Sequence, residues 1–120
     1  MILLVEEDAV TREAMAGALR SSSEVILEAA NGEKALRLLA NHPAVKLVVM
    51  EFVLPGIDGF KLMDLIHQRR PGLPIVLVSG YLSQWAGNAI VASSTRGAKF
   101  FAKPFRPSAL VKTVQELLTR

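Results

Sequence analysis

Short apolar runs alternate with helix-like segments along the whole chain, and this alternation limits the possible folds more than any other feature. Runs of three or four apolar residues, most of them rich in Val and Ile and without polar alternation, are typical of strands buried on both faces. We therefore predict five strands, at residues 2–5, 25–27, 47–50, 75–78 and 100–102. The fifth run is the weakest of the set.

The segments between these runs carry apolar side chains at the three- and four-residue spacings of a helix. They predict helices at residues 11–20, 33–40, 60–69, 82–96 and 108–118. Parallel neighbouring strands need crossover connections, so strand and helix in repeated alternation indicate a doubly wound α/β sheet with helices on both faces. No linker, repeat or low-complexity stretch interrupts the pattern, and we expect one domain over residues 1–120.

Composition excludes several classes of function. The chain has no cysteine, which removes disulfides, thiol catalysis and cysteine-bound metals. Its net charge of +3 is scattered rather than clustered, so direct nucleic-acid binding is not expected. The apolar start is too short for a signal peptide and no stretch approaches a membrane span. We expect a soluble, cytoplasmic protein without a membrane partner.

Polar groups collect at the predicted strand ends. Carboxyl ends of parallel strands meet at one edge of a sheet, where functional groups usually lie. The groups expected there are Glu6, Glu7 and Asp8 after the first strand, Glu51 after the third, Ser79 after the fourth and Lys103 after the fifth. Clustered carboxylates favour a hard cation such as Mg²⁺, and a neighbouring lysine can hold a phosphate. The alternative is that the acids only cap helices, which is what we expect of Asp8.

Four segments, in order and at suitable spacing, carry a family resemblance. They read ILLVEED at 2–8, VVMEFVLPGIDG at 48–59, LVSGY at 77–81 and GAKFFAKPF at 97–105. With these segments the chain resembles the receiver domains of two-component response regulators over nearly its whole length. The RPGLP segment at 70–74, followed by SGY, is similar to receivers fused to, or working beside, hybrid histidine kinases. The resemblance implies a flavodoxin-like five-stranded parallel sheet of order 2-1-3-4-5.

The resemblance assigns a metal role to Glu6 and Glu7, which match the acidic pair that holds Mg²⁺. Glu51 stands at the phosphoacceptor position and would be a third ligand, but the family carries an aspartate there. One extra methylene moves the carboxylate by on the order of 1 Å, and in-line phosphoryl transfer does not tolerate such a displacement. We therefore expect normal phosphorylation to be lost. The longer acidic side chains either crowd out the metal or relocate it, so we expect Mg²⁺ binding to be weakened or lost.

The resemblance also implies a phosphate-responsive set of residues. Ser79 matches the residue that hydrogen-bonds the phosphoryl group, and Lys103 matches the lysine that pairs with it. Pro104 matches the proline whose preceding bond is usually cis, and Phe100 the aromatic that switches between outward and inward positions. Asp58 precedes a predicted helix, so we expect it to cap that helix rather than to substitute as acceptor.

The function that follows is a receiver-type signalling module of a phosphorelay, not an enzyme. Its expected partners are a histidine kinase or phosphotransfer protein, a downstream effector domain, and a second copy through the face of the fourth helix, fifth strand and fifth helix. Two versions stay open. Glu51 can imitate a charged acceptor by pairing with Lys103, drawing Ser79 toward the acid and turning Phe100 inward, or the site can be silent in a docking domain.

A small flavodoxin-like enzyme or cofactor carrier is the alternative function. Such proteins place a phosphate-binding loop after the first strand, where this chain has three acids, Glu6, Glu7 and Asp8, that would repel a flavin phosphate. The chain also lacks the G-x-G-x-x-G pattern of dinucleotide-binding proteins.

Overall fold

The main sheet contains five parallel strands. The computed structural model describes residues 1–80 and 98–119 of the chain. Its sheet strands are β1 Ile2–Val5, β2 Ile26–Ala29, β3 Leu47–Glu51, β4 Ile75–Ser79 and β5 Lys99–Ala102. They pair in the order β2-β1-β3-β4-β5, and every pairing is parallel. The predicted fold class and strand order are confirmed.

Four described helices follow or separate these strands. They are α1 Ala9–Leu19, extended by a 3-10 turn at Arg20–Ser22, α2 Gly32–Asn41, α3 Gly59–Arg69 and α4 Pro107–Leu118. Pro107 lies in the first turn of α4, as its fixed φ favours. The predicted helix at 82–96 lies outside the described residues. Within the described part, no helix is both long enough and apolar enough to traverse a bilayer.

The strands are buried because helices cover both faces of the sheet. Successive side chains of a strand point to opposite faces. One face gathers, with residues of α2 and α3, the side chains of Leu3, Val5, Val48, Met50, Ile75 and Leu77. The other gathers, with residues of α1 and α4, those of Ile2, Leu4, Leu47, Val49, Val76 and Val78. The continuous apolar runs of the sequence therefore correspond to strands packed on two sides.

The second strand begins and ends later than predicted. Val25 lies before it and is 60% exposed, and the strand continues through Glu28 to Ala29, in register with β1. A charged residue is tolerated inside the strand because the Glu28 carboxylate lies 3.4 Å from Arg12 and 3.5 Å from Arg20. The apolar run alone placed the strand too early.

A short hairpin after β3 was not predicted. Val53–Leu54 pairs antiparallel with Ile57–Asp58, and Gly56 in the turn has a φ of 75° that favours glycine. The hairpin carries the chain from Glu51 to the start of α3. Asp58 ends it and caps α3 by accepting a hydrogen bond from the Lys61 backbone amide at 2.8 Å. The capping role predicted for Asp58 is confirmed.

Candidate functional site

Three polar side chains are buried at the carboxyl edge of the sheet. Glu6 follows β1 and is 4% exposed, Glu51 ends β3 and is 7% exposed, and Ser79 ends β4 and is 3% exposed. The parallel register places Glu51 beside Val78, one residue before Ser79. Polar groups so deeply buried need compensating partners, because leaving a charge unpaired in the interior is strongly unfavourable.

Lys103 brings a positive charge to these buried acids. It follows β5, and its backbone amide donates a 2.7 Å hydrogen bond to the Ser79 carbonyl, which fixes the chain at the edge. Its ammonium nitrogen lies 2.7 Å from Glu6 Oε1 and 3.7 Å from Glu51 Oε2. Lys103 therefore contacts both buried carboxylates. The predicted approach of Lys103 to Glu51 is present.

The two carboxylates are not equivalent. Glu6 is hydrogen-bonded through both oxygens, since Oε2 accepts from the Asp8 backbone amide at 3.1 Å. Glu51 Oε2 is buried and finds no hydrogen-bond donor among the described residues. Burial raises the pKa of Glu51, the attraction of Lys103 lowers it and the nearby charge of Glu6 raises it, and the net pKa is about 7. At neutral pH, Glu51 is therefore only about half ionised.

The remaining acids of the first loop, Glu7 and Asp8, are exposed rather than buried. Asp8 caps α1, accepting from the Thr11 amide at 2.8 Å and the Thr11 hydroxyl at 2.6 Å, and these bonds lower the pKa of Asp8. The capping role expected of Asp8 is confirmed. The structure thus joins Glu6, Glu51 and Lys103 but leaves Glu7 apart.

Arg12 supports the acidic loop and was missed by the sequence reasoning. Its Nη1 donates to the Glu6 carbonyl at 2.8 Å and the Glu7 carbonyl at 3.3 Å, while its Nε lies 3.4 Å from Glu28 Oε1. The guanidinium therefore ties the β1 exit to β2. No local sequence pattern could have indicated the contact between Arg12 and Glu28, because Arg12 lies in α1 and Glu28 lies in β2.

The switch positions lie beside the cluster. Phe100 is half-buried and packs against the core face shared by α2 and α3. The peptide bond between Lys103 and Pro104 is cis. These observations place the side chains without establishing that they move, so the switching role remains a prediction.

The fold and its edge define a doubly wound parallel α/β domain with a carboxylate–lysine cluster where the strands end. The response regulator receiver domain family matches residues 2–115. The chain belongs to this family and is a receiver domain of the two-component signalling type, and the resemblance noted in the sequence is confirmed.

Relatives come from regulators and kinases alike. The response regulator protein FleR of Pseudomonas aeruginosa is 34% identical over 94% of this chain, and the sensor kinase CckA of Brucella abortus is 32% identical over 99%. The chain spans only 23% of FleR and 12% of CckA. Among solved structures, the receiver domain of NtrX from Brucella abortus is 31% identical, with a TM-score of 0.87 and coverage of 99% and 98% of the two chains. The match does not favour the flavodoxin-like enzyme.

Receiver domains generally bind Mg²⁺ at their phosphorylation site. In residues 1–80 and 98–119, no three acidic or histidine side chains come together in a way that could hold a metal ion. The carboxylate chemistry suits a hard cation, but Lys103 already contacts the two buried acids, and the third predicted ligand, Glu7, is exposed. The arrangement of the described side chains therefore does not fit a magnesium site.

Proposed function

We propose that this chain is a single receiver module, over residues 1–120, that signals through protein contacts without taking a phosphoryl group at residue 51. The observation that carries the proposal is the buried Glu51 carboxylate at the acceptor position, 3.7 Å from the Lys103 ammonium. In a family member that accepts a phosphoryl group, the lysine that matches Lys103 would pair with that group. Here Lys103 faces a carboxylate that is part of the chain.

The extra methylene of Glu51 is the physical reason for losing phosphorylation. The carboxylate is displaced by on the order of 1 Å from the position of an aspartate, and in-line transfer depends on such alignment. Protonation adds to this effect. With a pKa near 7, part of the Glu51 population is protonated at neutral pH, and a protonated carboxyl group is a weak nucleophile. Weakened or lost Mg²⁺ binding, also part of this proposal, removes a charge that phosphoryl transfer requires.

The proposed partners are those of a receiver in a phosphorelay. They are a histidine kinase or phosphotransfer protein and a downstream effector domain, reached in the cytoplasm and without direct nucleic-acid contact. Kinship with both a response regulator and a sensor kinase supports either setting, including a hybrid kinase. A dimer through the face that includes β5 and α4 belongs to the same proposal.

Acetyl phosphate tests the loss of phosphorylation directly. The wild-type chain should gain no adduct of about 80 Da, the mass of one phosphoryl group, in the presence of Mg²⁺. Glu51→Asp should gain it, provided that Glu6 and Glu7 hold Mg²⁺ in this variant, because the shorter side chain retracts from Lys103 and leaves room for the donor and the ion. Intact-mass spectrometry measures both. Peptide mapping then locates any label, and stable labelling of the wild type at Glu51 would contradict the proposal.

Charge mimicry by Glu51 is favoured over a silent site by its contact with Lys103. If the charge of Glu51 sets the state of β5 and α4, Glu51→Gln and Glu51→Ala should both change hydrogen–deuterium exchange over residues 98–119, through the altered environment of Lys103. A substitution of an exposed acid, Glu13→Gln, serves as the control. Identical exchange in the wild type and both Glu51 variants would end the mimicry hypothesis and leave a docking domain.

A further inference from the structure

The Lys103 ammonium lies close to both buried acids of the site. Glu6 and Glu51 are both buried acids at adjacent strand ends, and the same nitrogen contacts both of them. Its contact with Glu6 is a charge-assisted hydrogen bond of 2.7 Å, a kind that is roughly twice as strong as a hydrogen bond between neutral groups. The Lys103 side chain is 26% exposed, whereas that of Glu6 is 5% exposed.

The Lys103 charge weakens the attraction of Glu6 and Glu51 for a divalent ion. Two carboxylates and one ammonium leave at most a single net negative charge at the cluster. Mg²⁺ gives up its water reluctantly and demands near-ideal octahedral geometry, so it needs several unengaged oxygens. Both carboxylate oxygens of Glu6 already accept a hydrogen bond, one from Lys103 and one from the Asp8 amide, so an ion would have to compete with these donors.

We propose that Lys103 serves as the permanent cation of this site, in place of a divalent metal, and that removing it would uncover a divalent-cation site between Glu6 and Glu51. The inference rests on the proposed function, because both require Glu51 to remain a carboxylate without a phosphoryl group and both include weak or absent Mg²⁺ binding by the wild type. A permanent lysine cation also explains how two buried acids can lie close together without a metal ion between them. Lys103 compensates charges that would otherwise repel each other.

Thermal unfolding of the 120-residue chain tests the inference without any phosphodonor. Melting temperatures are compared in about 10 mM MgCl₂ and in NaCl of equal ionic strength, so that general screening cancels. The wild type should show no difference between the two salts. Lys103→Ala should melt lower than the wild type in NaCl and gain on the order of 5 °C in MgCl₂, because an ion bound only by the folded state stabilises it.

A matched variant and a direct binding measurement complete the design. Lys112→Ala makes the same charge change at an exposed position of α4 and should respond to the two salts as the wild type does. Lys103→Gln removes the charge but keeps a polar side chain only one atom shorter, and it decides the matter if the alanine variant does not fold. Mn²⁺, followed by its paramagnetic resonance signal, should bind the Lys103 variants and not the wild type.

Two outcomes would overturn the inference. One is Mn²⁺ binding or Mg²⁺-specific stabilisation of the wild type as large as that of the Lys103 variants. The other is folded Lys103 variants that respond to neither ion. Both differ from failure of the proposed function, which would appear as a phosphoryl adduct on Glu51 and is measured independently of metal binding.

Discussion

Replacing Glu51 with glutamine is expected to raise the free energy of unfolding at pH 8 by about 3 kcal/mol, because it removes a carboxylate that burial disfavours. Burial raises the pKa of Glu51 from 4.5 to about 7, so the folded protein holds this proton more tightly than the unfolded chain does. The stability from that proton is fully present below pH 4.5 and is lost as the pH rises through about 7. The glutamine variant has no such loss.

Chemical denaturation across the pH range, with a chelator present, measures this difference. The two proteins should be similar near pH 4, where the carboxyl group is neutral in both states, and should diverge between pH 4.5 and 7. Lys103 keeps its 2.7 Å contact with Glu6 in the variant, so its charge is not left unpaired. Glu13→Gln, at an exposed position of α1, should change stability by less than about 0.5 kcal/mol. Parallel curves for the wild type and Glu51→Gln would show that Glu51 titrates normally.

The fold could be predicted because its strands are buried on both faces. Each strand then reads as a continuous apolar run, and the crossover rule leaves little choice of topology once five runs alternate with helices. The error at β2 has the same origin. Glu28 breaks the apolar run, and only its ion pairs with Arg12 and Arg20, from elements distant in sequence, explain why the strand continues.

The sequence predicts which residues meet at the candidate site better than it predicts how their side chains are arranged there. Strand ends bring Glu6, Glu51 and Lys103 to one edge whatever their side-chain conformations, so their proximity follows from topology. Which acid of the first loop turns inward does not follow from topology, because Glu6 and Glu7 are adjacent and both precede the helix cap. The choice is made by tertiary contacts, Lys103 for the side chain and Arg12 for the backbone.

Gly59→Ala is expected to destabilise the fold by about 2–4 kcal/mol, although alanine is the better helix former. Gly59 begins α3, directly after the hairpin that follows Glu51. A Cβ atom there would lie 2.9 Å from both the Cα and the carbonyl oxygen of Phe52, and 2.8 Å from its ring. Backbone atoms cannot move aside as the end of a side chain can. Phe52 is also anchored, since its amide donates to the Val78 carbonyl at 2.8 Å and its ring packs against Phe60.

The same substitution at Gly17 is the matched control, because it should have the opposite sign. Gly17 is an exposed residue inside α1, and no described atom lies within 4 Å of the Cβ that alanine would add. Gly17→Ala should therefore stabilise the protein by about 0.5–1 kcal/mol through helix propensity. Urea denaturation measures both variants. If Gly59→Ala were neutral or stabilising, the close packing of the start of α3 against Phe52 would be wrong.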